Sequence, residues 1–228
     1  MQAVILAAGL GTRMGNLTAS TPKPLLKIQD RTLLEHNLTA LPDEIDEVVL
    51  VVGYLEEQIH EAIGDKFLGK KIVYVEQKEL KGTGHALSLC KDVLRGRFLV
   101  LMGDDLYYKK DLESLVKKPL GILVWQMRND DMKQSYQALI KTDEQGKLLD
   151  IMERQPAAKG TMVNCGAYLL DMSFFDHPLV AAGIPANEFG LPQTMLQIVK
   201  AGGIMSVVKA EWWHKVASPE DLKLVNGQ

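Results

Sequence analysis

Arg13, Lys23 and Asp104 are the residues of this 228-residue chain whose types and surroundings suit chemistry on phosphate. Glycines at 9, 11 and 15 around Arg13 let backbone N–H groups approach an anion closely and point at it together. Arg13 adds a planar fork of donors and Lys23 a point charge. Lys23 stands in Thr21-Pro-Lys-Pro24, where two prolines argue against a helix, so an extended, stiff segment is expected there. Asp104 follows an apolar run in Gly103-Asp-Asp105, and its carboxylate oxygens suit magnesium (Mg2+); Asp105 reads as a turn residue. Gln77 opens Gln77-Lys-Glu-Leu-Lys-Gly-Thr-Gly-His-Ala-Leu87. Its amide beside a fixed Gly82 N–H matches the carbonyl and N–H edge of uracil or thymine; a flipped amide serves cytosine, and a solvated loop glutamine is the plain alternative.

The elements that must position these groups alternate. Ala3 to Gly9 is an apolar run that reads as a buried strand; Leu33, Leu34, Asn37, Leu38 and Leu41 form a helical stripe, and Val48 to Val52 a second strand. Leu55, Ile59 and Ile63 repeat at helical spacing with Gly64 to cap them, Ile72 to Val75 and Arg97 to Met102 read as strands, and Leu87, Cys90 and Leu94 mark a helix between them. Segments 120–127, 137–142 and 147–152 read as strands, the last two joined as a hairpin through Asp143 to Gly146. A helix over 191–201, a strand over 204–213 and a helix started by Ser218-Pro-Glu-Asp221 close the chain. This order predicts an α/β, Rossmann-like doubly wound, mostly parallel sheet with an antiparallel extension. Such sheets bind ligands beyond the carboxyl ends of their strands, where the glycine segment, Gln77 and Asp104 fall. One domain is expected, with residues 1–110 as a nucleotide-binding half and 111–228 as a second half.

Composition removes several classes. With 46% hydrophobic residues, 24% charged residues and a net charge of −3, the chain lacks a nucleic-acid footprint, so phosphate affinity must be local. No apolar run reaches the roughly 18 residues of a membrane span, and no basic leader precedes the first strand, so a soluble cytoplasmic protein is expected. Cys90 and Cys165 sit in apolar contexts and read as buried free thiols. The five histidines show no zinc spacing. Oligomeric state leaves no mark on the sequence.

Leu6-Ala-Ala-Gly-Leu-Gly-Thr-Arg-Met14 followed by Pro22-Lys-Pro-Leu-Leu26 resembles the signature of the sugar-1-phosphate nucleotidylyltransferases. The resemblance implies an enzyme that joins a nucleoside triphosphate to a sugar 1-phosphate with release of pyrophosphate, using magnesium. It places the nucleotide on Leu6, Ala7, Ala8, Gly9, Gly11, Thr12, Arg13, Gln77, Gly82 and Thr83, and the catalytic roles on Arg13, Lys23 and Asp104, with Asp104 on the metal. It places the sugar phosphate on Lys23, Glu153 and Asn164. Gly82-Thr-Gly-His-Ala86 is similar to the base-binding segment of N-acetylglucosamine-1-phosphate uridylyltransferases, which puts UTP first and dTTP second. Three departures stand out. Tyr136-Gln137 replaces the family's Tyr-Gly, Glu153-Arg-Gln-Pro156 its Glu-Lys-Pro, and Trp213-His-Lys-Val-Ala-Ser-Pro219 its Trp-x-Asp-x-Gly-Thr-Pro. Lys215 thus takes the place of a second metal-binding aspartate, and it is expected to touch the sugar phosphate instead.

Other readings compete. Gly9 and Gly11 after a strand with Asp30 downstream mimic a dinucleotide fold, but that needs a long helix from about Gly11, which Pro22 and Pro24 oppose. A non-catalytic nucleotide sensor on the same fold and a cytidylyltransferase acting on an alcohol phosphate such as phosphocholine are the others. No hexapeptide repeats follow, so an appended acyltransferase β-helix is not expected.

Overall fold

The computed structural model describes residues 1–128, 136–183 and 187–227, with the backbone alone at Tyr136. Strand β1 (Gln2–Leu6) carries Ala3, Val4 and Ile5 with no exposure at all. Burial on both faces is why this segment is a continuous apolar run and not an alternation. Gly11, at φ 65, turns the chain into a 3-10 stretch over Thr12–Thr18 that Gly15 breaks at φ 58. A second 3-10 turn covers Lys23–Leu25, which corrects the expectation of an extended Lys23. Pro22 and Leu26 on either side of the turn are extended; the Leu25 N–H donates to the Pro22 carbonyl and the Leu26 N–H to that of Lys23. Neither bond needs the N–H that Pro24 lacks, and the proline φ suits a 3-10 turn.

A small hairpin, β2 (Lys27–Ile28) and β3 (Arg31–Thr32), leads into α1 (Leu33–Ala40), capped by a reciprocal box between Thr32 and Glu35. There follow β4 (Glu47–Val52), α2 (Glu56–Ile63), β5 (Lys66–Phe67), β6 (Lys70–Glu76), α3 (Gly82–Ser88) and β7 (Arg97–Met102). Strands β7, β1, β4 and β6 lie side by side and parallel. Alternate residues feed two cores: Ala3, Ile5 and Leu50 face α1 and α2, while Val4, Val49 and Val51 face α3. Each fully buried aliphatic side chain contributes about 1.5–3 kcal/mol, so a one-residue slip of any central strand is heavily disfavoured.

The remaining elements are β8 (Asp105–Tyr107), α4 (Lys109–Val116), β9 (Gly121–Gln126), β10 (Tyr136–Thr142), β11 (Leu148–Pro156), β12 (Met162–Asp171), α5 (Leu191–Lys200), β13 (Ser206–Lys209), β14 (Trp213–Lys215) and α6 (Pro219–Asn226). Strand β12 runs antiparallel to β7 and β9, and the β10–β11 hairpin extends the same sheet at its edge. The fold is therefore α/β with a mostly parallel centre and an antiparallel extension. No helix among the described residues is long and apolar enough to cross a membrane.

The strand expected over 204–213 is two strands. Asp111 accepts from the N–H groups of Glu211 and Trp212, at 2.9 and 3.2 Å, and pulls the chain off β9 between β13 and β14. Strand β14 then pairs with β8, and α6 closes over the glycine segment through Met14, Leu26, Ile28, Val216 and Val225. Ser218 and Asp221 cap α6 reciprocally, and Asn226 accepts from the Gln29 N–H at 2.6 Å.

Candidate active site

At the carboxyl ends of β1, β6 and β7 lies a cavity of about 570 Å³. It is lined by Leu6, Ala7, Ala8, Gly9, Gly11, Thr12, Arg13, Gln77, Gly82 and Thr83, all ten of the expected nucleotide residues. Among the described residues nothing accepts from the backbone N–H groups of Ala8, Gly9, Leu10 or Gly11. A Cβ built on Gly9 would meet no protein atom within 4 Å, so that glycine keeps open a space bordered by unused donors. Such an arrangement is an anion cradle. Gly11 is required twice over, by its positive φ and because a Cβ there would stand 3.0 Å from Lys23 and Thr18.

A second cavity, of about 450 Å³, holds Glu153, Asn164 and Lys215, the residues expected on the sugar side. Arg13, Thr83, Met102, Asp104 and Ala182 border both cavities, so the two meet at Arg13 and Asp104. Lys23 lines the first cavity and not the second. Its ammonium lies 2.7 Å from Asp104, with the lysine side chain 8% exposed and the aspartate 35%. No carboxylate among the described residues pairs with Arg13 or Lys215 within 4 Å. The seam therefore presents one close ion pair flanked by two cations that have no carboxylate within 4 Å.

Several side chains differ from their sequence reading. Asp105 is not a turn residue: it opens β8 opposite Lys215, is 5% exposed, and accepts from the Trp213 indole at 3.2 Å through one oxygen while the other has no partner. Burial first, and then the neighbouring Asp104 charge, push its carboxyl well above the usual range against the pull of Lys215. Gln77 is buried, and its amide nitrogen is spent on the Gly82 carbonyl and His85 at 3.1 and 3.2 Å. The amide is thereby fixed with its oxygen as the remaining group, so the flipped alternative is disfavoured. Thr83 uses its hydroxyl to accept from the Leu191 N–H at the start of α5. Asn164 holds the left-handed Gly166 N–H with its oxygen and donates to Tyr168, which leaves one N–H and one lone pair for a ligand.

Residues Gln137, Arg154, Tyr168 and Gln193 also line the second cavity. The hairpin register accounts for Arg154: two steps on β10, Gln137 to Leu139, oppose three on β11, Gln155 to Met152. Arg154 takes up the extra residue at φ 54, so that it and Glu153 line one cavity although they are consecutive. The sequence carries no glycine to announce that bulge.

The carboxylates at the seam fit magnesium only in part. Among the described residues no three His, Cys, Asp or Glu side chains gather to hold an ion. Asp105 is sequestered, and Asp104 is a single accessible carboxylate. That set does not build a resident metal site, but it fits one carboxylate ligand for a hard cation whose other ligands are phosphate oxygens.

Comparison with known proteins agrees with this geometry. The profile of the nucleotidyl transferase family matches residues 2–222. The chain is 27% identical over 226 residues to the bifunctional protein GlmU of Methanocaldococcus jannaschii, covering 99% of this chain and 53% of that protein. It thus spans about half the length of several curated relatives that it matches. A UTP–glucose-1-phosphate uridylyltransferase, AglF, of Haloferax volcanii is 27% identical over 97% of this chain and 93% of its own. A D-glycero-alpha-D-manno-heptose 1-phosphate guanylyltransferase of Campylobacter jejuni is 34% identical over 83% of this chain and 84% of its own. Among solved structures, the inositol-1-phosphate CTP transferase from T. maritima superposes with a TM-score of 0.78 at 19% identity, covering 98% of this chain and 94% of that one. A donor cradle, a second cavity meeting it at a cation and a carboxylate, and a profile match along nearly the whole chain converge on one conclusion: this chain belongs to the nucleotidyl transferase family, among the sugar-1-phosphate nucleotidylyltransferases.

Proposed function

We propose that this protein binds UTP, or dTTP, in the first cavity and a sugar 1-phosphate in the second, and joins them with release of pyrophosphate. The observation that carries the reading is the seam, where both cavities share Arg13 and Asp104. A phosphate monoester is largely an anion at neutral pH, so the nucleophile needs no general base. Its oxygen attacks the α-phosphorus, the bond from that phosphorus to the β-phosphate oxygen breaks, and pyrophosphate leaves with the electron pair. The protein has to align the two and to place positive charge where negative charge moves. Arg13, Lys23 and the free N–H groups of the cradle hold the triphosphate. Lys215 holds the sugar phosphate, and Glu153 and Asn164 accept or donate to its hydroxyls. Asp104 would be the residue to hold a magnesium ion, through its carboxylate. A bound cation of this kind spreads charge over the phosphate oxygens.

Preference for the base rests on Gln77, whose fixed carbonyl accepts an imide N–H while the Gly82 N–H donates to the adjacent carbonyl. The same pair meets the N–H and carbonyl edge of guanine, and the 34% identical relative is a guanylyltransferase by name, which makes GTP the competing base. The test is a screen of the four ribonucleoside triphosphates and dTTP against a panel of sugar 1-phosphates, read by pyrophosphate release. Turnover with UTP or dTTP at least about ten-fold above CTP is expected from one matched buried hydrogen bond; a better rate with CTP or GTP sinks the base reading. Release of no pyrophosphate from any pair favours a sensor on this fold. Buried free thiols at Cys90 and Cys165, with the Cys90 thiol pushed up to about 12 by burial, suit a reducing compartment such as the cytoplasm.

A further inference from the structure

The first cavity has to take a triphosphate, yet Glu188 puts a carboxylate on its wall. Glu188 lines this cavity and not the second. Its carboxylate has no hydrogen-bond or ion-pair partner among the described residues, although Arg13 and Lys23 line the same cavity. Backbone alone holds it there. The Glu188 carbonyl accepts from the Ala182 N–H at 2.8 Å, the Phe189 N–H donates to the Lys81 carbonyl at 2.7 Å, and the Phe189 carbonyl accepts from the Gly84 N–H at 2.8 Å. Residues 188 and 189 are thereby zipped to the start of α3. A Cβ built on Gly82 would stand 3.0 Å from the Glu188 Cβ and 2.5 Å from the Phe189 carbonyl oxygen, so the segment closes on Gly82 only because no side chain is there.

A carboxylate accepts hydrogen bonds, donates none and repels phosphate, so the part of a nucleotide that meets Glu188 presents donors and carries no negative charge. Placement selects among the donors. In uracil the C2 carbonyl lies between the imide N–H and the ring nitrogen that carries the ribose. With the imide on the Gln77 carbonyl and the C2 carbonyl on the Gly82 N–H, the ribose emerges beside Gly82, where the Glu188 side chain begins. In guanine the carbonyl next to the N–H faces away from the ribose. We infer that Glu188 is a specificity-determining residue: its carboxylate accepts from the 2′-hydroxyl of the ribose, and so makes the first cavity select a ribonucleotide, UTP, over a deoxyribonucleotide such as dTTP. A carboxylate on a ribose hydroxyl is a common arrangement in nucleotide sites. The inference rests on the uracil reading of the first cavity and chooses, within it, between the two nucleotides left open there.

UTP and dUTP differ only in the 2′-hydroxyl, and titration calorimetry without sugar 1-phosphate compares their binding. The parent is expected to bind UTP at least about ten-fold more tightly, because dUTP leaves the carboxylate without its donor. In Glu188→Ala the ratio should fall to within about two-fold, chiefly through weaker binding of UTP. Glu188→Gln keeps one oxygen acceptor and should keep part of the preference. Since backbone bonds and not the carboxylate hold the segment, both variants are expected to melt as the parent does. Equal affinities in the parent overturn the inference. So does a Glu188→Ala protein that loses UTP and dUTP alike, which would make the residue a brace of its loop. A changed order among UTP, CTP and GTP with the UTP-to-dUTP ratio kept also overturns it, since the carboxylate would then read the base.

Binding and turnover fail separately. A parent that prefers UTP to dUTP but releases no pyrophosphate with any sugar 1-phosphate keeps Glu188 in its role and loses only the transfer reaction. A parent that binds GTP and not UTP removes the uracil pose, and the inference falls with it.

Discussion

The two ends of the parallel strands treat buried polar groups in opposite ways. At the amino ends Gln2 is 2% exposed and wholly satisfied: its amide nitrogen donates to Glu47 and to the Val93 carbonyl, and its oxygen accepts from the Arg95 N–H. Glu47 beside it is held by Lys71 at 2.8 Å, and Arg95 lies 3.5 Å away. At the carboxyl ends Asp105 and Gln193 each keep a buried oxygen without a partner, and neither Arg13 nor Lys215 has a carboxylate within 4 Å among the described residues. One sheet therefore closes its electrostatics at the end that only has to hold, and leaves them open at the end that has to bind. The unpaired cations at the second end suit an anionic ligand, while the buried oxygens of Asp105 and Gln193 are a cost in stability.

The largest expected effect is on turnover. Lys23→Ala should lower it by about 100-fold or more, the scale of removing one preorganised charge, and it also leaves Asp104 unpaired in the seam. Parental turnover in that variant would end the assignment of Lys23. Next in size is Gln2→Ala at the opposite end. Stranding Glu47, the Val93 carbonyl and the Arg95 N–H should cost about 2–3 kcal/mol in a denaturant titration, with both Michaelis constants unmoved. Loss of activity without loss of stability would break the contrast.

Two charge changes at the seam sharpen the comparison. Lys215→Ala should raise the Michaelis constant for the sugar 1-phosphate by about ten-fold, whereas higher activity in Lys215→Asp would show that the position wants a metal ligand. Asp105→Asn replaces a carboxyl whose ionised form burial opposes, so it should raise the melting temperature by about 2–4 °C for each kcal/mol relieved. A melting temperature that falls would mean that the Lys215 and Trp213 contacts outweigh the burial of Asp105.

The smallest effect is one of pH. Lys71 chiefly, and then Gln2, hold the Glu47 carboxyl below its ordinary 4.5 against the opposing effect of burial. A depressed carboxyl contributes stability above 4.5 that vanishes as pH falls through the folded-state value. Glu47→Gln should therefore lower stability at pH 7, and by progressively less as the pH is taken below 4.5, as followed by thermal melts. Equal losses above and below that value would show that Glu47 acts by packing alone.

What could be read in advance depended on how far each group's partners lie along the chain. Strand β7 and the Ser218 box were legible because their causes are local: an apolar run, and a serine three residues before an acid. The cradle was legible because it is contiguous. Asp105 was misread because the indole that holds it is 108 residues away, and the break near Ala210 was missed because Asp111 makes it from 100 residues away. Lys23 was misread for a different reason, since proline rules forbid an α-helix without forbidding a single 3-10 turn. Glu188 left no trace as a site residue, for its place in the first cavity depends on where Lys81 sends a carbonyl.

The closure of β14 and α6 over the glycine segment sets an order of assembly. Lys215 pairs with Asp105 in β8, Val216 covers Met14 and Leu26, and Asn226 ties Gln29, so the last elements of the chain finish what the first began. During synthesis the cradle and β7 emerge early, while Lys215 and the helix that braces the cradle come roughly 200 residues after the glycines, and loops of that span close late. A nascent chain should thus pass through a stage in which the anion cradle faces water without its brace. The capacity to hold a triphosphate firmly would then appear only as the C-terminal helix docks, so binding could serve as a clock for completion of the fold.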